Sequence, residues 1–299
     1  MVSRKFKILL WGLNMDEHKI ISLIKASGHL PQIPKDFGEI LKMLLEPVEY
    51  NIDQCVENFS RFPQLEVVLI QVLNYNSKLN REIKTVKDAI NYLGAKNAKI
   101  IAISYVTRLL LPDNKGRAKL FKNNQYWKHC IGTSLAAYMI TDETKLCNKD
   151  KMFTYGLIHD IGITVLDICL PDYLDKIYEL QLKGIHQIVA EKIVLNGLTH
   201  AEVGMWICKE WGLPDEIVEV VGFHHSPLLA AEKYVDEVKI MHLADSISTN
   251  YYEKLLGNDT TFIYAEKIME ALNVDNVFID NIIKKLPSEI GKLSRRIIL

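Results

Sequence analysis

The sequence is poor in paired cysteines, which excludes several classes of protein at once. Its five cysteines are scattered, and no two of them form a CxxC pair. Zinc ribbons and dithiol redox sites need such pairs, and disulfide frameworks need an even set of cysteines. We therefore expect reduced thiols in a cytoplasmic protein, packed as small apolar side chains: Cys55, Cys130, Cys147, Cys169 and Cys208.

The sequence also lacks net charge and long apolar runs. The formal net charge is -1, which gives no electrostatic reason to expect nucleic acid or an anionic membrane as a partner. No uncharged apolar run reaches the length of about 18 residues that a membrane span needs. The apolar run 6–11 is short and contains Lys7, and Asp16 follows where a small-residue cleavage site would stand. We expect no export signal.

A glycine-rich phosphate loop is missing as well. Residues 6–11 predict one short buried strand, and 16–25 predict a helix, but no such loop joins them. A nucleotide-binding unit is therefore not favoured, and no organic cofactor site is expected. Gly28 and the prolines at 31 and 34 mark the first boundary.

From Asp36 onward the apolar spacing is almost wholly helical, which predicts a mainly α fold. Thr85 is a plausible N-cap of a helix that Gly94 interrupts. The run 112–116 is the clearest loop. The helices before it carry no catalytic constellation, and we interpret them as a bundle that buries its own core.

The histidines appear after that loop. His159 and Asp160 are adjacent and flanked by apolar residues, on a helix predicted from Lys151 to Ile161 and ended by Gly162. Thr199 and Glu202 fit a capping box that places His200 on the first turn of the next helix. Candidate metal ligands therefore lie on five predicted helices: His129, His159, Asp160, His200, His224, His225 and Asp245.

Imidazole nitrogens and carboxylate oxygens together suit a transition metal better than calcium. Asp160 has two oxygens and could bridge two ions that activate a water and hold a phosphate oxygen. The alternative is a buried hydrogen-bonded pair of His159 and Asp160 with no metal. One of His224 and His225 could serve outside the ligand set, because adjacent helical residues point about 100° apart. His242 is interpreted as ordinary packing.

The order His, His-Asp, His, His-His, Asp resembles the HD superfamily of metal-dependent phosphohydrolases, and more narrowly the HDOD domain. The matching segments are 30–34, 74–77, 83–94, 127–129, 156–162, 200–204, 211–214 and 224–227. This resemblance implies an HDOD domain over 29–250, and the apolar pattern predicts a strand–helix extension over 1–28 and a C-terminal helical extension over 251–299. Within the HDOD domain it implies an N-terminal helical subdomain (29–120) and an HD-like core (121–250).

The resemblance implies a metal site at those seven residues, with one or two divalent ions, iron or manganese in preference to zinc. HD phosphohydrolases hydrolyse phosphate esters there, with His159 and Asp160 at the centre, whereas HDOD proteins are regarded as signalling modules with no established chemistry. Ile163 stands where many phosphohydrolases have a lysine, and no Gly-Tyr-Pro follows His225, as it does in the HD-GYP enzymes that cleave cyclic di-GMP.

Two hypotheses follow. The first is a cytoplasmic regulatory protein with a protein partner in a signalling pathway and little or no hydrolysis. The second is a metal-dependent phosphohydrolase acting on a nucleotide or phosphodiester. The lost lysine favours the first hypothesis because neutralising charge carries most of phosphoryl-transfer catalysis. The intact ligand set favours the second.

Overall fold

The computed structural model describes residues 18–30, 33, 36–45, 51–75, 82–110, 117–255 and 264–294. Within these ranges all regular elements are helices, which confirms the mainly α prediction. The predicted strand at 6–11 and the predicted loop at 112–116 lie outside the described residues.

The chain divides into two units, one made of Met1–Gln32 and Leu111–Leu286, the other of Ile33–Leu110 and Pro287–Leu299. We call them the histidine unit and the second unit. The described helices of the second unit's first segment are α2 (Phe37–Leu45), α3 (Ile52–Ser60), α4 (Pro63–Tyr75), α5 (Val86–Leu93) and α6 (Ala95–Leu110). They pack on one another, and the amide of Asn74 ties the end of α4 to both backbone groups of Ile83, with N···O distances of 2.7 and 2.8 Å.

The histidine unit contains the remaining described helices. These are α1 (Lys19–Ala26), α7 (Asn123–Thr144), α8 (Lys149–Ile158), α9 (Ile161–Cys169), α10 (Pro171–Leu182), α11 (Gln187–Val194), α12 (His200–Glu210), α13 (Asp215–Phe223), α14 (Val235–Leu255) and α15 (Glu266–Leu272). A last helix, α16 (Asn276–Ser294), begins in this unit. Two short 3₁₀ turns, Pro227–Leu229 and Glu232–Tyr234, link α13 to α14.

Long helices form the frame of this unit. Helix α7 packs against α8 and α14, and α12 packs against α9 and α13. The inner faces are apolar: Ile140, Val203 and Ile247 are fully buried. A polar side chain buried in this core therefore needs a partner. The buried histidines and Asp160 find their partners in one another.

Helix starts follow from capping chemistry. The Thr85 hydroxyl accepts a hydrogen bond from the backbone N–H of Asp88 at 3.1 Å, as predicted. Thr199 and Glu202 form the predicted capping box, in which the Glu202 carboxylate accepts the N–H of Thr199 at 2.6 Å. His200 is thereby fixed as the first residue of α12.

The prediction of one helix from Lys151 to Ile161 ended by Gly162 was wrong. Helix α8 stops at Ile158, His159 and Asp160 form a turn, and α9 restarts at Ile161 with Gly162 inside it. The break has a physical use, because a turn aims two adjacent side chains at one point, whereas a straight helix separates them by about 100°. Within the described part of the predicted helical extension over 251–299, α15 and α16 are separate helices with a break between them at 273–275.

Two glycines are required by close helix crossings and not by their backbone angles. A Cβ on Gly162 would lie 1.9 Å from the backbone oxygen of His200, far closer than a carbon and an oxygen can approach without bonding. A Cβ on Gly156 would lie 2.5 Å from the Cα of Ser134. These contacts let α9 approach α12 and α8 approach α7 closely enough to bring ligands from separate helices together.

The segment Lys149–Cys169, made of α8, the turn and α9, is by length and composition apolar enough to cross a membrane. Its most apolar part is 100% buried inside the protein, as expected for core helices. The run is interrupted by the turn at His159 and Asp160.

Candidate metal centre

The structure brings all seven predicted ligands into one cluster within the histidine unit. The cluster contains side chains from α7, the α8–α9 turn, α12, the end of α13 and α14. His159 and His224 are fully buried, and Asp160 and Asp245 are 6% and 8% exposed. Three overlapping sets of these residues have ligand atoms within 4.8 Å of one another.

One side of the cluster, which we call the His129 group, contains His129, His159, Asp245 and one oxygen of Asp160. The Nε2 of His129 lies 3.3 Å from the Nε2 of His159, 3.5 Å from Asp160 Oδ2 and 3.1 Å from Asp245 Oδ1. The Nε2 of His159 lies 3.3 Å from the same Asp160 oxygen. Two nitrogens and two oxygens therefore face a common point.

The other side, the His200 group, contains His200, His224, His225 and the second oxygen of Asp160. Asp160 Oδ1 lies 3.1 Å from His200 Nε2 and 3.4 Å from His224 Nε2. His200 Nε2 in turn lies 3.3 Å from His224 Nε2 and 3.1 Å from His225 Nε2. The two carboxylate oxygens of Asp160 thus face different groups of histidines.

The buried histidines are held with Nε2 pointing inward, because Nδ1 already has a partner. His159 Nδ1 donates to Gly156 O and His224 Nδ1 donates to Val221 O, both at 2.8 Å. His200 Nδ1 donates to the Glu191 carboxylate, also at 2.8 Å. A neutral imidazole with its proton on Nδ1 presents a lone pair on Nε2, which is the form that binds metals.

The spacing of these atoms fits a shared cation. Two ligand atoms bound about 2.1 Å from one ion are separated by about 3.0 Å at an octahedral angle and about 3.4 Å at a tetrahedral one. The contacts around Asp160 fall between 3.1 and 3.5 Å. When both rings are neutral, the Nε2 lone pairs of His200 and His224 face each other with no proton between them and repel. A cation placed between them would remove that repulsion.

The electrostatics of the cluster point the same way. Burial alone would lower the pKa of His159, but the Asp160 and Asp245 carboxylates outweigh it and raise that pKa to about 10. The pKa of His200 is also raised, since Glu191 and Asp160 outweigh burial. Burial and the neighbouring histidines lower the pKa of His224 and His225. The cluster therefore favours a bound positive charge, whether that charge is a proton on a histidine or a metal ion.

The carboxylates show the complementary effect. Burial would raise the pKa of Asp160 and Asp245, but the histidines around them hold both pKa values well below the ordinary value. The ion pairs found for these two carboxylates among the described residues are all with histidines. Ile163, at the position of the expected lysine, is buried and apolar.

The cluster opens to solvent on one side. The side chains of His225 and His129 are 27% and 17% exposed, whereas those of His159 and His224 are completely covered. A molecule approaching from solvent would therefore meet His129, His225 and Asp245 first. The buried histidines form the floor of the cluster.

Glu191 was missed by the sequence analysis. It lies on α11, is 2% exposed and binds His200 through both oxygens. Its only signal in the sequence is a carboxylate between Ala190 and Lys192, and a solvated helix face gives the same pattern. Finding it required knowing that α11 packs its inner side toward the start of α12.

Three histidines outside the cluster have structural roles. His242 Nδ1 donates to the backbone oxygen of His224 at 2.7 Å, so it braces the chain beside a candidate ligand. His18 caps α1, and His29 contacts Arg117 at 2.6 Å. Trp206 is buried. All five cysteines are free, and Cys130, Cys169 and Cys208 are buried, as expected for small apolar side chains.

Comparison with protein families gives a direct match. The sequence model of the HDOD domain matches residues 30–227 of the 299-residue chain. A curated relative, an uncharacterized protein of Treponema pallidum, is 23% identical over 215 residues, which are 71% of this chain and 41% of the relative. The chain thus spans less than half of that relative's length.

Solved structures share the fold. An HDOD domain protein of unknown function from Geobacter sulfurreducens has a TM-score of 0.64 at 21% identity, covering 92% of this chain and 95% of its own. A candidate phosphohydrolase from Shewanella amazonensis has a TM-score of 0.65 at 19% identity, covering 94% and 97%. A candidate signal transduction protein from Marinobacter aquaeolei has a TM-score of 0.67 at 16% identity, covering 89% and 60%.

Proposed function

The chain belongs to the HDOD family, and we propose that it is a regulatory protein whose histidine–aspartate cluster binds divalent metal with little or no hydrolysis. The inward-facing nitrogens carry the metal part of this proposal. His159, His200 and His224 each commit Nδ1 to an oxygen and direct Nε2 at an oxygen of Asp160.

We propose two ions, one in the His129 group and one in the His200 group, bridged by Asp160. A bridging carboxylate and mixed nitrogen and oxygen ligands suit iron or manganese, which accept six ligands. Structural zinc prefers four ligands and closed tetrahedral geometry. In this proposal the mixed ligand set around a shared carboxylate therefore favours iron or manganese.

The regulatory part of the proposal rests on Ile163. A phosphoryl group in transfer carries charge that positive side chains and metals must stabilise. Here the position of the expected lysine holds a buried isoleucine, and the histidines are the positive partners found for Asp160 and Asp245. A centre of this kind can hold metal and an anion while catalysing poorly.

The alternative is a metal-dependent phosphohydrolase acting on a nucleotide or phosphodiester. One observation favours it: the complete ligand set has an edge open to solvent at His129 and His225. Two metals there would activate a water and hold a phosphate oxygen. His159 and Asp160 would be central to that reaction.

The first experiment measures metal and turnover in the same samples. Protein purified with iron or manganese is expected to contain about two equivalents by elemental analysis, and Asp160→Ala protein is expected to contain none. Both forms are then assayed against nucleotides and linear and cyclic dinucleotides. Metal with negligible turnover supports the regulatory proposal, and turnover that Asp160→Ala abolishes supports the alternative.

Ile163→Lys sharpens the choice between them. If the absent cation limits hydrolysis, this substitution is expected to raise turnover of the metal-loaded protein, provided circular dichroism shows native helicity. Ile163→Met is the matched control, because it is apolar and of similar volume. Equal turnover in all three folded proteins would remove Ile163 as the explanation.

We further propose that the protein is cytoplasmic, passes its signal to a protein partner by non-covalent contact, and takes a nucleotide as the small ligand of the centre. Capture of partners from lysate is to be compared for metal-loaded, metal-free and Asp160→Ala proteins. A partner retained by the loaded form alone is the expected result. Clear nucleotide turnover with no partner under any metal condition would contradict the proposal.

A further inference from the structure

Glu191 is a buried carboxylate whose interactions converge on one histidine. Its Oε1 and Oε2 both lie 2.8 Å from His200 Nδ1, and Oε2 also accepts the backbone N–H of His200 at 2.9 Å. Gln187, one turn earlier on α11, donates to Oε1 at 2.9 Å. A carboxylate 2% exposed with this many donors is fixed in place and desolvated.

His200 is the exception among the buried histidines of the cluster. His159 and His224 direct Nδ1 to backbone oxygens of their own helices, at Gly156 and Val221. A backbone oxygen fixes the ring but carries no net charge. Only at His200, of these three, is the orienting group a full negative charge from a different helix.

The charge of Glu191 makes the negative charge near the two groups more nearly equal. The His129 group has two carboxylates as direct members, Asp160 and Asp245. The His200 group has its share of Asp160 and three histidines, and Asp245 reaches it less closely, with Oδ2 3.8 Å from His225 Nδ1. Glu191 adds a second negative charge to that group, placed behind an imidazole instead of in contact with the ion.

We propose that Glu191 is a positioning residue that holds the metal of the His200 group by fixing the His200 ring and raising its donor strength. This inference rests on the proposed metal centre. A carboxylate behind a ligating histidine makes the imidazole a stronger donor, and loss of such a partner typically lowers metal affinity about 10–100-fold. The ion in the His129 group has no such dependence.

The test is Mn²⁺ binding to the metal-free full-length protein, measured by isothermal titration calorimetry. Wild type is expected to show two binding events. Glu191→Gln keeps the size of the side chain and an acceptor oxygen but removes the charge. One event is expected to weaken about 10–100-fold, while the other stays within about twofold of wild type.

Two further variants separate charge from general stability. Glu191→Asp keeps the charge and is expected to recover part of the lost affinity, which a purely steric role would not produce. Asp167→Asn is the matched control, because Asp167 is a buried carboxylate, 3% exposed, that accepts the N–H groups of Arg117 and Ala118 away from the cluster. It is expected to bind Mn²⁺ as wild type does.

A second readout covers the case of a poorly folded variant. The visible absorption of bound Co²⁺ reports ligand geometry in whatever fraction is folded, and Glu191→Gln is expected to change the spectrum of one equivalent only. Two unchanged events in Glu191→Gln would overturn the role of Glu191 and leave the metal centre intact. If Asp167→Asn weakens Mn²⁺ binding as much as Glu191→Gln does, the effect of Glu191 is one of general stability. If wild type binds no Mn²⁺, the proposed function itself is overturned.

Discussion

The two halves of the cluster share Asp160 but obtain their negative charge differently. In the His129 group the second carboxylate, Asp245, faces the other members directly, with its oxygen 3.1 Å from His129. In the His200 group the second carboxylate, Glu191, stands behind His200. A direct carboxylate is tied to the ion it neutralises, whereas an indirect one depends on a neighbouring helix. The comparison therefore predicts that the halves can be disabled separately.

The largest effect should come from Asp160, the one residue common to both halves. Asp160→Ala removes a buried charge that faces four histidines, so both metal equivalents should be lost. Breaking a buried charge pair typically costs about 3–5 kcal/mol, and the free energy of unfolding of the metal-free protein should fall by that order. Elemental analysis and urea denaturation measure the two effects. Retention of one full equivalent would argue against a bridge.

Removing one direct member of each half should cost one equivalent each. Asp245→Asn is expected to empty the His129 group and His224→Ala the His200 group, because neither residue is shared in the proposed centre. Elemental analysis of both variants and of the double variant gives expected contents of about one, one and zero equivalents. Loss of both equivalents in either single variant would show that the halves are interdependent.

Metal affinity should rise with pH. In the metal-free protein the pKa of His159 is raised from the ordinary 6.5 to about 10, so an incoming ion must displace its proton. The same protonated form stabilises the metal-free fold, fully below about pH 6.5, and that contribution is lost as pH rises toward about 10. Titration in two buffers with different ionisation enthalpies should show proton release at pH 7. A metal affinity that stays constant from pH 6 to pH 9 would show that no proton is displaced when the metal binds.

A smaller effect is expected at the crossing of α9 and α12. Gly162→Ala forces a methyl group against the backbone oxygen of His200, and such overpacking typically costs about 1–3 kcal/mol. Since the contact is with His200, metal in that half should weaken more than metal in the other. Gly184→Ala is a useful control, because Gly184 has φ +83 with nothing within 4 Å of the added atom, so only backbone strain changes. Thermal denaturation and Mn²⁺ titration measure both variants.

The smallest effect is expected from the capping box that starts α12. Glu202→Ala removes the acceptor of the Thr199 N–H and should cost about 1 kcal/mol of stability. His200 keeps its bonds to Glu191, so metal content should be unchanged. Chemical denaturation with elemental analysis tests this, and metal loss from the His200 group would show that the cap, and not Glu191, fixes His200.

Local chemistry explains what could be predicted from the sequence. The helices start where Thr85 and Thr199 can cap them, and the order of the seven ligand candidates was recognised because it resembles that of the HD superfamily. What the sequence could not supply was contact between distant segments. Glu191 looks like any surface glutamate until α11 is docked, and Gly162 looks like a helix end until its nearness to His200 is known.

The turn at His159 and Asp160 was not predicted, for a related reason. Apolar residues continue on both sides of it, and helical periodicity alone joins α8 and α9 into one element. The break is favoured because it buries two polar side chains against partners on α7, α12, α14 and the end of α13. That gain is tertiary, and a local pattern does not contain it.

Helix α11 has a consequence for how firmly the His200 group is held. It is eight residues long, shorter than the length of about 12–15 residues at which an isolated helix becomes marginally stable in water. Its outer side exposes Val189 and Ile193 at 51% and 59%, and its inner side supplies Glu191. The helix therefore persists only while it is docked on its neighbours, and the negative charge behind His200 is present only while it persists. When the two turns of α11 unfold, the Glu191 carboxylate leaves His200 in the same step.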